Sequence, residues 1–316
     1  MNPQPIFFEP IFKERIWGGT VLREQFGYDI PSEKTGECWA ISAHPNGPSI
    51  VKSGPWKGMT LEQLWRDHRE LFGDIEGEKF PLLTKILDAN RDLSVQVHPD
   101  DQYAQSHENG ELGKTECWYV IDCEKDAEMI FGHTAKTKEE LAQMIQEGRW
   151  NELLQRVKIQ PGDFYYVPSG TIHALCKGTL VLETQQNSDT TYRVYDYDRT
   201  DDNGKKRELH LEKAMEVITV PHTATKVEPK TEEKQGATIT TFIQTPYFSV
   251  YQWTVKSRCQ FTRNQPFYLC SVLSGSGKLK TAQGEYPIKK GDHFLIPATI
   301  NTFELSGETN IIVSHV

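Results

Sequence analysis

The sequence has no run of about 18 apolar residues, the length a helix needs to cross a bilayer, so no membrane span is expected. Its start, Met1-Asn2-Pro3-Gln4-Pro5, carries no basic segment followed by an apolar one, and a secretory signal is not expected either. Cysteine is sparse: Cys38, Cys117, Cys123, Cys176, Cys259 and Cys270 are scattered and none lies in a C-x-x-C pair. That spacing argues against a disulfide framework and against zinc held by cysteine, and it fits reduced thiols in a cytoplasmic protein. Positive charge is also short, with 35 Lys and Arg against 44 Asp and Glu and a formal net charge of −9. A general nucleic-acid binder needs a basic face to displace counterions from phosphates, so that class is excluded. An anionic small substrate is not excluded, provided the cations that attract it are gathered locally.

What is present is mostly β texture. The 316 residues suggest about two domains. Short runs rich in Val, Ile, Tyr, Phe and Thr recur between Gly, Pro and Asp punctuation, as in sandwiches and barrels. Examples are 93–97, 117–121, 164–167, 180–184, 248–253, 270–273 and 293–296. Three helices are predicted. Thr60 opens one with a Thr-x-x-Gln capping box, its apolar side being Leu61, Leu64, Trp65, His68 and Leu71, and Gly73 stops it. Thr137 opens a second that buries Leu141, Met144 and Ile145, and a third over 209–218 presents Leu211, Ala214, Met215 and Ile218 on one face. The polar segment 221–236, with Pro221, Pro229 and a charge cluster at 230–234, reads as a linker. It separates a unit over 1–220 from a smaller all-β unit over 237–316.

The two units echo each other. Residues 161–173 and 290–302 both read Gly-Asp, four aromatic or aliphatic residues, then Pro. The second copy has Thr299 where the first has Gly170 and Thr302 where the first has His173. This predicts a duplicated β-barrel of which only the first copy kept a ligand. In that copy Gln96 and His98, one residue apart, share a face of an extended strand. Glu116 opens the next aromatic strand, and His173 follows a Pro-x-Gly turn that aims it inward. Either histidine alone reads as an ordinary polar residue. Together, two imidazoles, a carboxylate and an amide oxygen suit Zn²⁺ or another divalent first-row metal.

Gly162-x5-Pro168-x-Gly170-x2-His173 resembles the second motif of the cupin superfamily. With Arg15-Ile16-Trp17-Gly18-Gly19, Gly36-Glu37-Cys38-Trp39, residues 93–100, Lys114-Thr115-Glu116 and residues 187–196, the chain resembles the type I mannose-6-phosphate isomerase (phosphomannose isomerase) family in its short bacterial form. The resemblance covers the chain to about residue 200, with a degenerate cupin behind it. It implies a mainly β fold of two cupin-type jelly-roll barrels with a few short helices, the second barrel lacking metal ligands. It also implies one Zn²⁺ per chain held by Gln96, His98, Glu116 and His173, a catalytic Arg193, and a site wall including Lys85, Ser94, Lys114 and Glu183. Two departures stand out. The long helical insertion of many family members is absent between Glu116 and His173, and Lys177 stands where an asparagine is common in the superfamily.

The implied reaction interconverts mannose 6-phosphate and fructose 6-phosphate through an enediol, which needs stabilised oxyanion charge and a base near the migrating proton. Glu183 and Lys114 are both candidates for the base, Glu183 slightly favoured, and a lysine would need a depressed pKa, which the charge of an adjacent Zn²⁺ could supply. Arg193 suits phosphate or enediolate oxygens, unless it pairs structurally with Asp189 or Asp196. Ser94, Lys85, Lys114 and Arg193 are candidates for phosphate capture, whereas the run Lys205-Lys206-Arg207 reads as a solvated loop. Gly275-Ser276-Gly277-Lys278 resembles a phosphate loop but lacks its spacing. Two other readings stay open: a cupin Fe(II) oxygenase, which needs only two His and one carboxylate, and a non-catalytic sugar-phosphate-binding protein. Partners beyond a small sugar phosphate are not expected, and the oligomeric state is not encoded in any motif.

Overall fold

Strands dominate because the β-branched and aromatic runs each find a partner of matching alternation. The computed structural model describes residues 4–201 and 203–316. An antiparallel six-stranded sheet runs in the order Phe164–Val167, Glu116–Cys123, Thr179–Gln186, Leu82–Ala89, Thr35–Ser42, Ile11–Gly19. A five-stranded sheet runs Tyr192–Tyr195, Val95–Val97, His173–Leu175, Glu128–His133, Leu154–Lys158. The two meet across one apolar cluster that includes Leu87, Trp118, Val120 and Val181 from the first, and Met129, Phe131 and Leu175 from the second. The other face of the six-stranded sheet, with Cys38, Ala40, Ile86, Tyr119, Leu180 and Leu182, packs against Phe242, Val250, Leu269 and Leu273 of a ten-stranded sheet. Covered on both sides, Leu82–Ala89 and Thr179–Gln186 are buried at every residue. Any charged group on those strands is therefore buried as well.

The ten-stranded sheet has its own core, built around Trp253, Phe261, Tyr268, Phe294 and Phe303. The mainly β expectation with a second β unit is met. Two features depart from a clean split at 221–236. Ile6–Glu9 pairs with His293–Ile296 (Ile6 opposite Leu295), so the first described strand lies in the second unit's sheet. Lys230–Lys234, in the expected linker, is an edge strand on Ala237–Gln244. Its side chains are all exposed, and a charged edge of this kind resists further strand addition. The hydropathy of that segment gave no sign of a strand because neither face is buried. The resemblance of 275–278 to a phosphate loop is explained by sheet packing. A Cβ on Gly275 would stand 1.9 Å from the Glu308 carbonyl oxygen, and one on Gly277 2.0 Å from that of Ser306.

The Thr60 capping box forms as predicted: Thr60 Oγ1 accepts from Gln63 N–H, and Gln63 Oε1 accepts from Thr60 N–H. The helix Leu61–Asp67 ends at His68, and a separate 3-10 turn, Arg69–Phe72, runs on to Gly73. The Thr137 helix spans Lys138–Gln146. The third is shorter than expected, Leu211–Val217, and Leu211 is exposed rather than on the packed face. Short helices at Val21–Phe26, Asp101–His107 and Trp150–Leu153 were not expected; one or two turns carry too little periodicity to read.

A buried polar contact ties the halves together. The Tyr28 hydroxyl donates to the Gly291 carbonyl and lies 2.8 Å from His293 Nε2, while His293 Nδ1 lies 2.9 Å from Ser271 Oγ. Burial pushes His293 down to about 3 from its ordinary 6.5, so it folds neutral. The unfolded chain takes up a proton at this residue below about 6.5 that the folded chain refuses, so this contribution to stability falls as pH drops from about 6.5 towards about 3. We expect His293→Gln to lower stability at pH 7 yet lose less of it between pH 7 and pH 5 than the parent. Guanidinium unfolding midpoints at the two pH values measure this, and equal losses would remove the role.

Candidate active site

The residues singled out from the sequence converge where the two facing sheets open at one end. His173 is directly paired with Gln96 across neighbouring strands, and His98 follows Gln96 at the strand end. Glu116 reaches them from the opposing sheet. The side-chain amide of Gln96 is 3.4 Å from His173 Nε2. Glu116 Oε1 is 3.2 Å from His173 Nε2, and Oε2 is 3.5 Å from His98 Nε2. The ligand atoms of His98, Glu116 and His173 lie within 4.8 Å of one another, and all three residues are buried. Among the described residues this is the only such His/Cys/Asp/Glu cluster, so the second unit has no counterpart.

The donor set fits a metal ion. His98 Nδ1 lies 2.9 Å from the Thr190 carbonyl oxygen and His173 Nδ1 2.8 Å from that of Thr171. Each carbonyl holds the Nδ1 proton, which leaves both Nε2 lone pairs turned towards Glu116. Glu116 Oε1 is buried with no hydrogen-bond donor. Burial, followed by the Lys114 ammonium, holds His98 well below the usual histidine range and therefore neutral, as a ligand must be. The Pro-x-Gly turn before His173 serves this geometry. Gly170 has φ +83°, donates its N–H to the His98 carbonyl, and leaves no room for a Cβ, which would sit 2.5 Å from Thr219 Oγ1. Lys177, where an asparagine is common, is exposed and donates its backbone N–H to Asp92, so that departure does not reach the cluster.

A row of paired residues continues across the six-stranded sheet. Trp118, Glu183, Lys85 and Trp39 lie directly opposite one another on four adjacent strands. Glu183 Oε2 accepts from Trp118 Nε1 (2.9 Å), and Glu183 Oε1 is 3.6 Å from Lys85 Nζ and 3.9 Å from Lys114 Nζ. Lys114 Nζ in turn donates to Glu116 Oε2. Lys85 Nζ lies over the Trp39 ring, 4.9 Å from its centroid. Burial raises the Glu183 carboxyl above its ordinary value, and the nearby Glu116 charge adds to this. Burial alone would lower Lys114, but Glu116 and Glu183 outweigh it and hold the ammonium above the ordinary lysine value. Set by the chain's own groups alone, Lys114 is thus an ammonium paired with Glu116 and facing Glu183.

Of these groups Lys85, Lys114 and Glu183 line a cavity of about 310 Å³ together with Ser94, Gln96 and Arg193. Arg193 donates Nε–H to Ser94 Oγ (3.3 Å) and Nη1–H to the Glu208 carbonyl (2.7 Å). It has no carboxylate partner among the described residues. Asp196 is occupied by Arg199 and Arg207 at 2.7 and 2.6 Å, and Asp189 accepts from Asn46. Sequence reasoning missed Arg207, which leaves the solvated run at 205–207 to line the same cavity, as do Arg15 and Glu37. Arg15 and Glu37 form a two-point pair at 2.9 and 3.0 Å, and Glu37 also accepts from Trp39 Nε1. Their place in quoted motifs was the available signal; nothing in the spacing said that they meet.

Comparison with known proteins agrees. A family model for the type I phosphomannose isomerase catalytic domain matches residues 6–135, and one for the mannose-6-phosphate isomerase cupin domain matches 238–316. The chain is 58% identical over 316 residues to mannose-6-phosphate isomerase ManA of Bacillus subtilis, covering 100% of both. The chain belongs to the type I mannose-6-phosphate isomerase family. It is 53% identical over 314 residues to a mannose-6-phosphate isomerase of Streptococcus mutans, covering 99% of this chain and 98% of that relative. A crystal structure of the mannose 6-phosphate isomerase from Bacillus subtilis matches with a TM-score of 0.97 at 60% identity, covering 99% of each chain. A phosphomannose isomerase from Salmonella typhimurium, 16% identical, shares the fold with a TM-score of 0.80. Membership of this family makes the chain an isomerase.

The converging donors generate a direct expectation. The purified protein should hold a divalent ion at about one per chain. His173→Ala should lose it while Ser94→Ala retains it, and elemental analysis of desalted samples reads both. Full metal content in His173→Ala would show that the cluster is not the binding site.

Proposed function

We propose that this isomerase interconverts mannose 6-phosphate and fructose 6-phosphate through an enediol, with Zn²⁺ held by Gln96, His98, Glu116 and His173. The observation that carries the reading is that the ligand cluster borders one cavity, whose lining includes Gln96 and Lys114, the latter bonded to Glu116. A fully buried two-imidazole, one-carboxylate cluster adjoins a buried carboxylate, Glu183, and cations from Lys85, Lys114, Arg193 and Arg207. In a chain of net charge −9 that is a local cationic field suited to an anionic sugar. Gln96 beside His173 adds a fourth donor, more than the three-donor set of an Fe(II) oxygenase requires.

A bound divalent ion would supply Lewis-acid stabilisation of the oxygen charge that develops at C1 and C2. The chain's own groups do the rest. Glu183 Oε1, desolvated and therefore a stronger base than an exposed carboxylate, takes the C2 proton of the open-chain aldose and returns it to C1. A proton passes from O2 to O1 in the same conversion, so the atoms balance. Lys114 stays an ammonium between Glu116 and Glu183, and Lys85 offsets the Glu183 charge when it is ionised. Arg193, steadied by Ser94 and the Glu208 carbonyl, meets the anionic oxygens of the substrate. Burial of the wall keeps these interactions in a low-dielectric space, where each is worth more than in water.

Glu183→Gln keeps the shape and removes the base, so kcat should fall about a hundred- to ten-thousandfold with metal content unchanged. Arg193→Ala should also lower kcat strongly and retain the metal. The measurement is a coupled assay of mannose 6-phosphate conversion, run anaerobically with metal analysis of the same samples. Wild-type turnover in Glu183→Gln would overturn the base assignment. Dependence on oxygen, or binding without loss of deuterium from C2, would overturn the isomerase reading.

A further inference from the structure

Arg193 lies on Tyr192–Tyr195, the edge strand of its sheet, and is paired with Gln96 on the one strand beside it. Its backbone N–H and C=O both point away from that partner, where an edge strand ordinarily meets water. Here one residue takes both. His210 Nδ1 accepts the Arg193 N–H at 3.1 Å, and the His210 N–H donates to the Arg193 carbonyl at 2.8 Å. Two residues earlier, the Glu208 carbonyl accepts Arg193 Nη1–H at 2.7 Å. The segment 208–210 therefore grips the arginine at its main chain and at its guanidinium together. His210 is half-buried, its ring 6.3 Å from that of Tyr192, and it precedes the helix Leu211–Val217, which packs on the Arg193 strand.

We propose that His210 is a positioning residue for Arg193: its neutral imidazole acts as a side-chain substitute for a neighbouring strand and sets the height of the guanidinium over the cavity. The inference rests on the role proposed above for Arg193, but its geometry does not depend on the identity of the substrate. Nδ1 can accept only while it is unprotonated. Burial, and then the Arg193 charge, lower the His210 pKa and keep that lone pair available. Lys213 acts in the same direction, and Glu208 and Glu108 oppose it. The ring's other nitrogen is 3.9 Å from a Glu208 carboxylate oxygen, which suits an Nε2–H tautomer.

The acceptor, not the ring, is the functional part. Asparagine places a carbonyl oxygen near the position of Nδ1 and cannot titrate, whereas alanine and phenylalanine remove the acceptor. We expect His210→Ala and His210→Phe to lower kcat roughly five- to tenfold, the scale of one lost hydrogen bond, with KM changed by less than about twofold. Metal content should match the wild type, and His210→Asn should restore most of the turnover. Amide hydrogen exchange at Arg193 supplies a readout that needs no substrate, and it should quicken in the alanine and phenylalanine variants but not in His210→Asn. Equal damage in all three variants, or unchanged exchange at Arg193 in His210→Ala, would overturn the positioning role. Absence of isomerase turnover in the wild-type protein would instead overturn the proposed function and leave the exchange result standing.

Discussion

Four buried charges constrain the catalytic half of this protein: Glu116, Lys114, Glu183 and Lys85 are each at most 4% exposed. An unpaired charge in such a place would cost several kcal/mol, so each must face an opposite one at close range. They do so as a chain, carboxylate to ammonium to carboxylate to ammonium, from the metal-ligand cluster towards Trp39. Removing any link would leave its neighbours uncompensated. The residue types along this line are therefore held by the energetics of burial as firmly as by any chemistry they perform.

Burial on this scale follows from the layering. A β-sheet with one wet face would expose alternate residues of each strand, and Glu183 or Lys85 would then be an ordinary surface charge. The six-stranded sheet is instead covered by the five-stranded sheet on one face and the ten-stranded sheet on the other. The second unit, without ligands of its own, thus supplies the cover that makes strands such as Thr179–Gln186 interior throughout. It is fastened by apolar packing, by the N-terminal strand added to its sheet, and by the Tyr28–His293–Ser271 contact. The second unit thereby buries the face opposite the site, whereas Glu183 and Lys85 share the face of Val181 and Leu87 that the five-stranded sheet covers.

Net charge and site charge part company for the same reason. Acidic residues are spread over the surface, as at the exposed Asp126, Glu152 and Asp198. The cations that matter are drawn to one cavity by strand register: Lys85 is there because it lies opposite Glu183, and Arg193 because it lies opposite Gln96. Arg207 shows how weakly a charge run reports on placement, since Lys206 beside it pairs with exposed Asp198 while Arg207 turns inward to Asp196.

Much of this was legible in the linear order of residues. Alternation and turn residues specify the strands, Thr60 and Thr137 specify their helix starts, and the period-two rule places Gln96 and His98, or Lys114 and Glu116, on common faces. These are local properties, settled within a few residues by backbone geometry. The sequence by itself therefore determined the β class, the duplicated turn motif and the identity of the candidate ligands. Only the tertiary structure decided that Ile6–Glu9 joins the far sheet, that 230–234 pairs rather than links, and that Lys114 stands between Glu116 and Glu183. It alone decided, too, that Arg193 is gripped by His210 and not by Asp189 or Asp196. Each of those depends on which strands lie side by side and on how much water is left between them, and no spacing along the chain carries that information.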